Sequence, residues 1–495
     1  MDKRGQGREA QFVLMNVEDA IKAVGGFLLF GDAKKSFSFV SIDSRTIKQD
    51  SLFIPLSGER VDGHDFIEDA IKNGATVVFV DNVHKKTCME EYEELAHNYD
   101  ATFICLNSTL KALHDLAGYY LDSINLKLKI GITGSSGKTT VKEMLGCIFS
   151  KSYKTYVSPG NLNSSIGLPL SVFMLRREHE VGVFEMGMNR VDEIKELASV
   201  LRPNVAIITN VGTAHIGMLG SKEAILQEKL KIFSYFEEGC VGFVPKGMVY
   251  DAIKDIPKGR IIEVGEDRLS GLEGVIDNGL NGSIITYKGS SIKLRLLGSY
   301  NVANAILSIS VATYFNIEID KIKKALSAIK PSYGRAQIIK GFTTCFFDCY
   351  NANPDSMREA INFCSSLKIP NKKIAILGSM LELGKDSIKE HAKICELAFS
   401  AGFNRLYFFG NEMLAGLNQY SLQVVAEHGG EHLLDMLFAH STRLHKDDEF
   451  DELEKDIIDF LKRGDFVLLK ASRALRLERL CDALGIKGEN EKNKI

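Results

Sequence analysis

The stretch GITGSSGKTTVKEM, residues 131–144, puts two glycines, a lysine and two adjacent threonines within a few positions of one another. A strict phosphate-loop motif would need a further glycine five residues before Gly137, and Ile132 stands there. The shorter pattern Thr133, Gly134, Ser135, Ser136, Gly137, Lys138, Thr139, Thr140 keeps the same physics. Glycines let backbone N–H groups turn toward phosphate oxygens, a following helix N-terminus favours negative charge, Lys138 adds a point charge, and Thr139 can ligate Mg²⁺. Such a loop holds a nucleoside triphosphate, normally ATP; the plain alternative is an ordinary strand-to-helix turn. Because kinases, motors, GTPases and ligases all use it, the loop alone leaves open where the phosphate goes.

Three more side chains could take part. Glu185 ends the apolar run VGVFE, at the kind of position where the carboxyl ends of parallel strands gather around a ligand, so its carboxylate could hold Mg²⁺. A surface glutamate at a strand end is the alternative. His215, in ITNVGTAH, follows another strand, although a lone histidine is more often structural than a ligand. Lys229 is less usual. With Ser221 as N-cap, the segment KEAILQEKLKIFSYF predicts one helix whose apolar stripe is Ile225, Leu226, Ile232, Phe233 and Phe236, and Lys229 falls inside that stripe. A lysine held on a buried face loses its proton readily, and the neutral amine can take up carbon dioxide to give an anionic carbamate that could bind a metal. On spacing alone a snorkelling lysine, its head in water, is the favoured reading.

The elements that must position these groups read as α/β throughout. Residues 37–56 look like short strands joined by polar turns, DFIEDAIKNG like a helix ending at Gly74, and ATVVFVD like a strand, together a small mixed module over 1–122. LKLKIGIT is a strand candidate, TTVKEMLGCIFS spaces Val141, Met144, Leu145, Ile148 and Phe149 as one helix face, and VGVFEM and VAIITNV continue a parallel-sheet alternation over 123–330. TCFFD, KIAILG, RLYFFG and DFVLLKA repeat it over 331–495 as a Rossmann-like domain, and HKDDEFDELEKD reads as a solvated helix face.

A chain of 495 residues exceeds one hydrophobic core and fits about three domains. A net charge of -3 without a Lys/Arg block offers no footprint for nucleic acid or an anionic membrane, so a small-molecule partner is expected. No apolar run is long enough to span a bilayer, and the polar MDKRGQGREAQ start is unlike a secretory signal, so a cytoplasmic protein without membrane insertion is expected. Nine scattered cysteines with no paired spacing read as reduced, packed thiols.

The motifs together resemble the Mur ligases, the ATP-dependent amide-forming enzymes of peptidoglycan precursor synthesis, over nearly the whole chain. TGSSGKTT is similar to their shortened phosphate loop, GNLNSSIGLPLSV to the segment after it, FEMGMN to the strand with the magnesium glutamate, and ITNVGTAHIGMLGS to the segment with the metal-binding histidine. The resemblance implies two Mg²⁺ ions held by Thr139, Glu185, His215 and a carbamylated Lys229, with Lys138, His215 and Lys229 serving catalysis. DCYNANPDSM and ILGSMLELG resemble the branch that adds D-alanyl-D-alanine to UDP-N-acetylmuramoyl-tripeptide, which implies Asn351 and Asn353 near substrate and Asp348 near the nucleotide. By the same resemblance Ser44 and Arg45 of IDSRTIKQDSLFIPLSGERVDGHDFI lie near the uridine diphosphate, Asn301 and Asn304 of LGSYNVANA on the adenine side, and Arg335 of YGRAQ near the phosphates. Tyr300, Phe347, Cys349, Ser379 and Ala471 depart from the family pattern without removing an implied metal ligand or the phosphate loop.

That resemblance implies an acyl phosphate formed on a carboxylate and then attacked by an amine, by a protein expected to be a monomer. Three domains that close would keep water from the acyl phosphate. The competing readings are another amide-forming ligase of the family, a phosphate-loop ATPase or small-molecule kinase with no amine acceptor, and a silent binding homologue. The ATPase or kinase reading would leave Lys229 and the YNANP segment without a role.

Overall fold

The computed structural model describes residues 12–213, 216–247 and 258–486. It divides into two compact units, one of residues 1–131, 154–187 and 193–204, the other of residues 132–153, 188–192 and 205–495.

In the first unit the strands β1 (Phe27–Phe30), β2 (Phe39–Ser41), β3 (Ser51–Phe53), β4 (Ala75–Asp81) and β5 (Thr102–Leu106) form one sheet in the order β1-β5-β4-β3-β2. β2 through β5 run parallel and β1 is antiparallel at the edge. Val77, Val78, Phe79 and Val80 are all buried, which is why ATVVFVD is apolar without alternation: both faces of a parallel strand are covered. Helix α1 (Ile67–Lys72) gives the expected helix before β4, and α2 (Asn82–Thr87) follows it. α3 (Thr109–Ser123) starts at Ser108, whose side chain accepts from Lys111 N, and buries Leu113, Leu116, Ala117 and Tyr120. The same unit holds the parallel pair β7 (Thr155–Val157) and β8 (Val181–Glu185), while β6 (Leu128–Thr133) runs across the boundary between the units.

In the second unit α4 (Lys138–Phe149) buries Val141, Met144, Leu145, Ile148 and Phe149, the face its spacing predicted. β9 (Val205–Ile208), β10 (Val241–Pro245) and β11 (Arg260–Val264) are parallel neighbours. Between β9 and β10, α5 covers only Lys222–Leu230 and is followed by a 3₁₀ turn at Lys231–Phe233, so the single long helix predicted through Phe236 is corrected. The tighter winding aligns residues three apart. Phe236 N donates to Phe233 O at 3.0 Å and the two rings meet edge to face at 5.0 Å, so the aromatic stripe continues past the end of α5 through a tighter turn. β12 (Leu272–Asp277), β13 (Ser283–Tyr287) and β14 (Ser290–Leu294) form an antiparallel meander that the sequence reading did not separate from its surroundings. Helix α6 (Ser299–Tyr314) follows.

The last third is a six-stranded sheet. β15 (Gln337–Lys340), β16 (Thr344–Asp348), β17 (Lys373–Gly378), β18 (Arg405–Phe409), β19 (Arg443–His445) and β20 (Phe466–Lys470) lie in the order β15-β16-β20-β17-β18-β19, parallel except for β15. Alternate residues serve opposite cores. Phe346, Ala375, Leu377, Phe408 and Leu468 pack with α7 (Pro354–Ser366) and α8 (Ser387–Ser400), whereas Cys345, Phe347, Ile376, Phe409 and Leu469 pack with α9 (Phe450–Phe460). α9 turns Phe450, Leu453 and Ile457 inward, so only the second half of the charged run HKDDEFDELEKD is helical and that half is amphipathic, while His445 ends β19 and residues 446–449 form the turn between them. No helix among the described residues is long and apolar enough to cross a membrane.

Candidate nucleotide and ligase site

The phosphate loop connects β6 to α4, and its two glycines are there for lack of room. Gly134 has φ 152° and a Cβ on it would come within 1.9 Å of Thr209 Oγ1; Gly137 has φ 78° and its Cβ would come within 2.7 Å of Asn304 Oδ1. Close packing on both sides follows. The segment after β9 holds the loop: Ser136 N donates to Asn210 Oδ1 at 2.8 Å, Asn210 Nδ2 to Ser136 Oγ at 2.5 Å, Thr209 Oγ1 to Ser136 O at 2.5 Å, and Gly212 N to Ser135 Oγ at 2.9 Å. Lys138 Nζ donates to Gly134 O at 2.7 Å. Thr139 and Thr140, in the first turn of α4, are half-buried.

Lys229 sits on α5 with 1 % of its surface exposed, so the snorkelling reading favoured on spacing is overturned. Burial first, and the nearby Lys138 cation second, hold its amine well below the usual lysine range, against a smaller opposing pull from Glu228. Glu228 is itself buried and accepts from Lys231 Nζ at 2.5 Å, and Lys231 also reaches Asp192 at 2.7 Å. Near Lys138 of the phosphate loop the Lys229 amine therefore gives up its proton far more readily than an exposed lysine does.

Glu185 lies in the first unit as the last residue of β8, 4 % exposed. Asn163 Nδ2 donates to its Oε1 at 2.8 Å, and Gly187 N donates to Asn163 O at 2.7 Å. The GNLNSS segment therefore orients the strand-end carboxylate, so Asn163 is a positioning residue that sequence reasoning passed over. In the same unit Ser44 is nearly buried and its carbonyl accepts from Asn73 Nδ2 at 3.0 Å, while Arg45 is exposed and forks onto Asp43 at 2.9 and 2.7 Å. His215 lies outside the described residues.

Around α6 and the carboxyl ends of β16 and β20 the remaining predicted residues meet. Asn301 Nδ2 donates to Leu297 O at 2.7 Å and Asn304 Nδ2 reaches Asn301 Oδ1 at 3.4 Å, which leaves the Asn304 amide packed on Gly137 of the phosphate loop. Tyr300, in the place where the family carries histidine, keeps its hydroxyl proton: burial and the Asp348 carboxylate both push that proton's loss far upward. Asp348 accepts from Ala336 N at 3.1 Å and pairs with the buried Lys470, which also donates to Asn351 O at 3.3 Å. Strand register dictates that pair, because Asp348 stands opposite Lys470 in the parallel β16/β20 ladder. Arg335 stacks on the Tyr350 ring at 3.9 Å. Asn353 caps α7, accepting from Ser356 N at 2.9 Å while Ser356 Oγ accepts from Asn353 N at 3.1 Å, so its side chain sets the loop and Asn351 is left at the surface. Two residues on, Asp355 Oδ2 accepts from Thr213 N at 2.7 Å and Thr213 Oγ1 at 3.0 Å, tying α7 to the segment after β9. Burial raises the Asp355 carboxyl pKa, but the Thr213 donors and Arg358 outweigh it and hold the acid below its ordinary range. Asn210, Asp355 and Lys470 were absent from the predicted site, and only Lys470 left a trace in the sequence, a lysine ending the apolar run DFVLLK.

A glycine-built phosphate loop at a strand end, a buried lysine of lowered pKa near it and a second Rossmann-like sheet define an ATP-handling α/β protein of the ligase class. Three family models match in chain order: the Mur ligase family catalytic domain at residues 36–120, the Mur ligase middle domain at 132–312 and the Mur ligase glutamate ligase domain at 334–473. The chain is 39% identical over 470 residues, 94% of this chain and 98% of the relative, to a UDP-N-acetylmuramoyl-tripeptide–D-alanyl-D-alanine ligase of Treponema pallidum, and 33% identical over 458 residues, 89% and 92%, to the same-named protein of Bacillus subtilis. It matches the crystal structure of MurF from Acinetobacter baumannii with a TM-score of 0.81 at 26% identity, over 95% of this chain and 98% of that one. MurF from Thermotoga maritima in complex with ADP matches with a TM-score of 0.71 at 26% identity, over 90% and 97%. The chain belongs to the Mur ligase family.

Proposed function

We propose that this protein joins D-alanyl-D-alanine to UDP-N-acetylmuramoyl-tripeptide with consumption of ATP, releasing ADP and phosphate. The observation that carries the reading is the buried, proton-poor Lys229 amine beside Lys138 of the phosphate loop, in a chain whose relatives carry that activity in their names. An ATPase passing phosphate to water has no evident use for such an amine.

A carboxylate is unreactive toward amines because it is anionic and lacks a leaving group. Transfer of the γ-phosphoryl forms a bond from a carboxylate oxygen to phosphorus, breaks the bond to the bridging oxygen, and frees ADP. The backbone N–H groups of residues 134–140 and the Lys138 ammonium hold the phosphates during that step. The dipeptide nitrogen then bonds to the acyl carbon, the carbon–oxygen bond to phosphate breaks, and the ammonium proton passes to a base. Mg²⁺, when bound, neutralises the negative charge crowded at the phosphoryl group. Thr139, Glu185, His215 and Lys229 would hold it; the Glu185 carboxylate and a carbamate on Lys229 are the hard oxygen donors that Mg²⁺ prefers. Carbamate formation bonds the neutral Nζ to the carbon of CO₂ and releases one proton.

Residues 1–122 hold the nucleotide sugar through Ser44 and Arg45, residues 123–330 hold ATP with Asn301, Asn304, Arg335 and Asp348 at its edges, and residues 331–495 receive the dipeptide through Asn351 and Asn353. The protein works as a cytoplasmic monomer.

Phosphate release should be measured with ATP, Mg²⁺ and UDP-muramyl-tripeptide, with and without D-alanyl-D-alanine, and the nucleotide product weighed. Release that depends on the dipeptide, with a product heavier by one dipeptide unit, supports the reading. ATP turnover indifferent to both substrates overturns it in favour of a phosphate-loop ATPase.

A further inference from the structure

The first unit carries a second constellation of titratable side chains that has no role in the reading above. At the carboxyl edge of β2–β5, Asp62 and His64 come from the loop after β3, Asp81 ends β4, and His84 lies on α2. The two imidazoles stack face to face, centroids 3.6 Å apart and planes within 5°. Each edge of the stack meets a carboxylate. On one edge Asp62 Oδ1 is 2.8 Å from His64 Nδ1 and Asp62 Oδ2 is 3.2 Å from His84 Nε2. On the other, Asp81 Oδ1 is 2.9 Å from His84 Nδ1 and Asp81 Oδ2 is 3.8 Å from His64 Nε2.

Two neutral imidazoles bring too few protons to satisfy both edges of this box. Asp81 fixes the His84 tautomer, because its oxygen takes the Nδ1 proton, so the Nε2 lone pair of a neutral His84 faces the Asp62 carboxylate. Two electron-rich atoms at 3.2 Å call for a positive centre between them. His64, with 2 % of its side chain exposed, has its Nε2 buried without a hydrogen-bond partner, and it points toward Asp81. If His64 Nδ1 gives its lone pair to a cation, the proton moves to Nε2 and this orphaned atom becomes a donor aimed at Asp81.

We propose that Asp62, His64 and His84 form a binding site for a transition-metal cation of the zinc class, with Asp81 as the outer carboxylate that orients both imidazoles. Each of these three residues offers one ligand atom, and the three atoms lie within 4.8 Å of one another. A tetrahedral ion with bonds of about 2.0–2.1 Å holds its ligands roughly 3.3 Å apart, and because imidazole lone pairs lie in the ring planes the two stacked rings must swing out of parallel to meet at one ion. A carboxylate on the far nitrogen of a metal-binding histidine is the usual outer arrangement, and Asp81 takes that place for His84 at 2.9 Å while lying 3.8 Å from His64 Nε2. His84 and Asp62 are about a quarter and a third exposed, which leaves one side open for a water ligand and for entry. The His₂Asp donor set and four-coordinate spacing separate this site from the all-oxygen preference of Mg²⁺.

Full-length protein should be stripped with chelator, dialysed against Zn²⁺ in excess Mg²⁺ and ATP, and analysed for bound metal. About one zinc per chain is expected to remain, to be lost in His84→Gln, to be held about 10–100-fold more weakly in Asp81→Asn, and to be retained in Glu185→Gln. Co²⁺ in the wild-type protein should show the intense visible bands of a four-coordinate ion, a readout that does not depend on any variant folding. Zinc content unchanged by His84→Gln, zinc lost only in Glu185→Gln, or a six-coordinate Co²⁺ spectrum would each overturn the site. Failure to retain zinc would leave the box as an imidazolium held between two carboxylates.

Discussion

Two lysines of the second unit, Lys229 and Lys470, are each buried with 1 % of their surface exposed, and they have been put to opposite uses. Lys470 ends β20 directly opposite Asp348, and the ladder register delivers it a carboxylate. Lys229 lies on a helix face turned toward the phosphate loop, where its strong neighbour is another cation, Lys138. The first arrangement makes an ion pair that fixes the Asp348–Asn351 turn; the second makes the Lys229 proton easier to lose. Burial alone makes a lysine neither structural nor reactive, and the sign of the nearest charge decides which it becomes.

The largest effect should come from the reactive member. Lys229→Met is expected to lower dipeptide-dependent phosphate release by about 10³-fold, the scale of losing a preorganised electrostatic group, while leaving the melting temperature unchanged or raised. A melting temperature that falls along with activity would make Lys229 structural and erase the contrast. For the paired member the expectation reverses. Lys470→Met should destabilise the fold by about 3–5 kcal/mol by stranding Asp348, and adding Asp348→Asn should recover much of that loss, both read by denaturant unfolding.

Asp355→Ala tests whether the loop carrying the acceptor residues is also held from the phosphate-loop side. Loss of both Thr213 donors should cost about 1–2 kcal/mol, with kcat falling more than KM rises. The smallest effect is a slope. Burial and Lys138 hold the folded Lys229 pKa well below the ordinary 10.5 that it regains on unfolding, so between the two the unfolded chain binds the extra proton and wild-type stability should rise with pH up to about 10.5. Lys229→Met should flatten that rise by one proton, so the two unfolding curves should draw together as pH increases. Parallel curves would mean that the amine stays charged in the fold.

Much of this site was legible along the chain because its parts are local. The phosphate loop, its strand and its helix are continuous, so GITGSSGKTTVKEM carries both the backbone turn and the amphipathic face behind it. ATVVFVD and TCFFD announced buried parallel strands through unbroken apolar composition. The helix through Phe236 did not hold, since the burial of Phe233 and Phe236 against each other is a tertiary gain that outweighs helix continuity there. The meander at residues 272–294 was missed because its strands are short and its exposed residues, such as Ile276, blur the alternation. Asn163, Asn210 and Asp355 were illegible for another reason. Each is an ordinary polar residue whose role is a hydrogen bond to a partner far away in sequence, and nothing local marks which asparagine or aspartate will have one.

The sequence by itself determined the α/β alternation, the glycines that only a crowded phosphate loop requires, and the motif density that places the chain among the Mur ligases. Tertiary structure alone decided the protonation of Lys229, the pairing of Lys470 with Asp348 and the stacking of His64 on His84. Composition and periodicity are short-range properties that any stretch of chain carries with it. Charge and desolvation act through space, and their balance exists only once distant strands have been brought together.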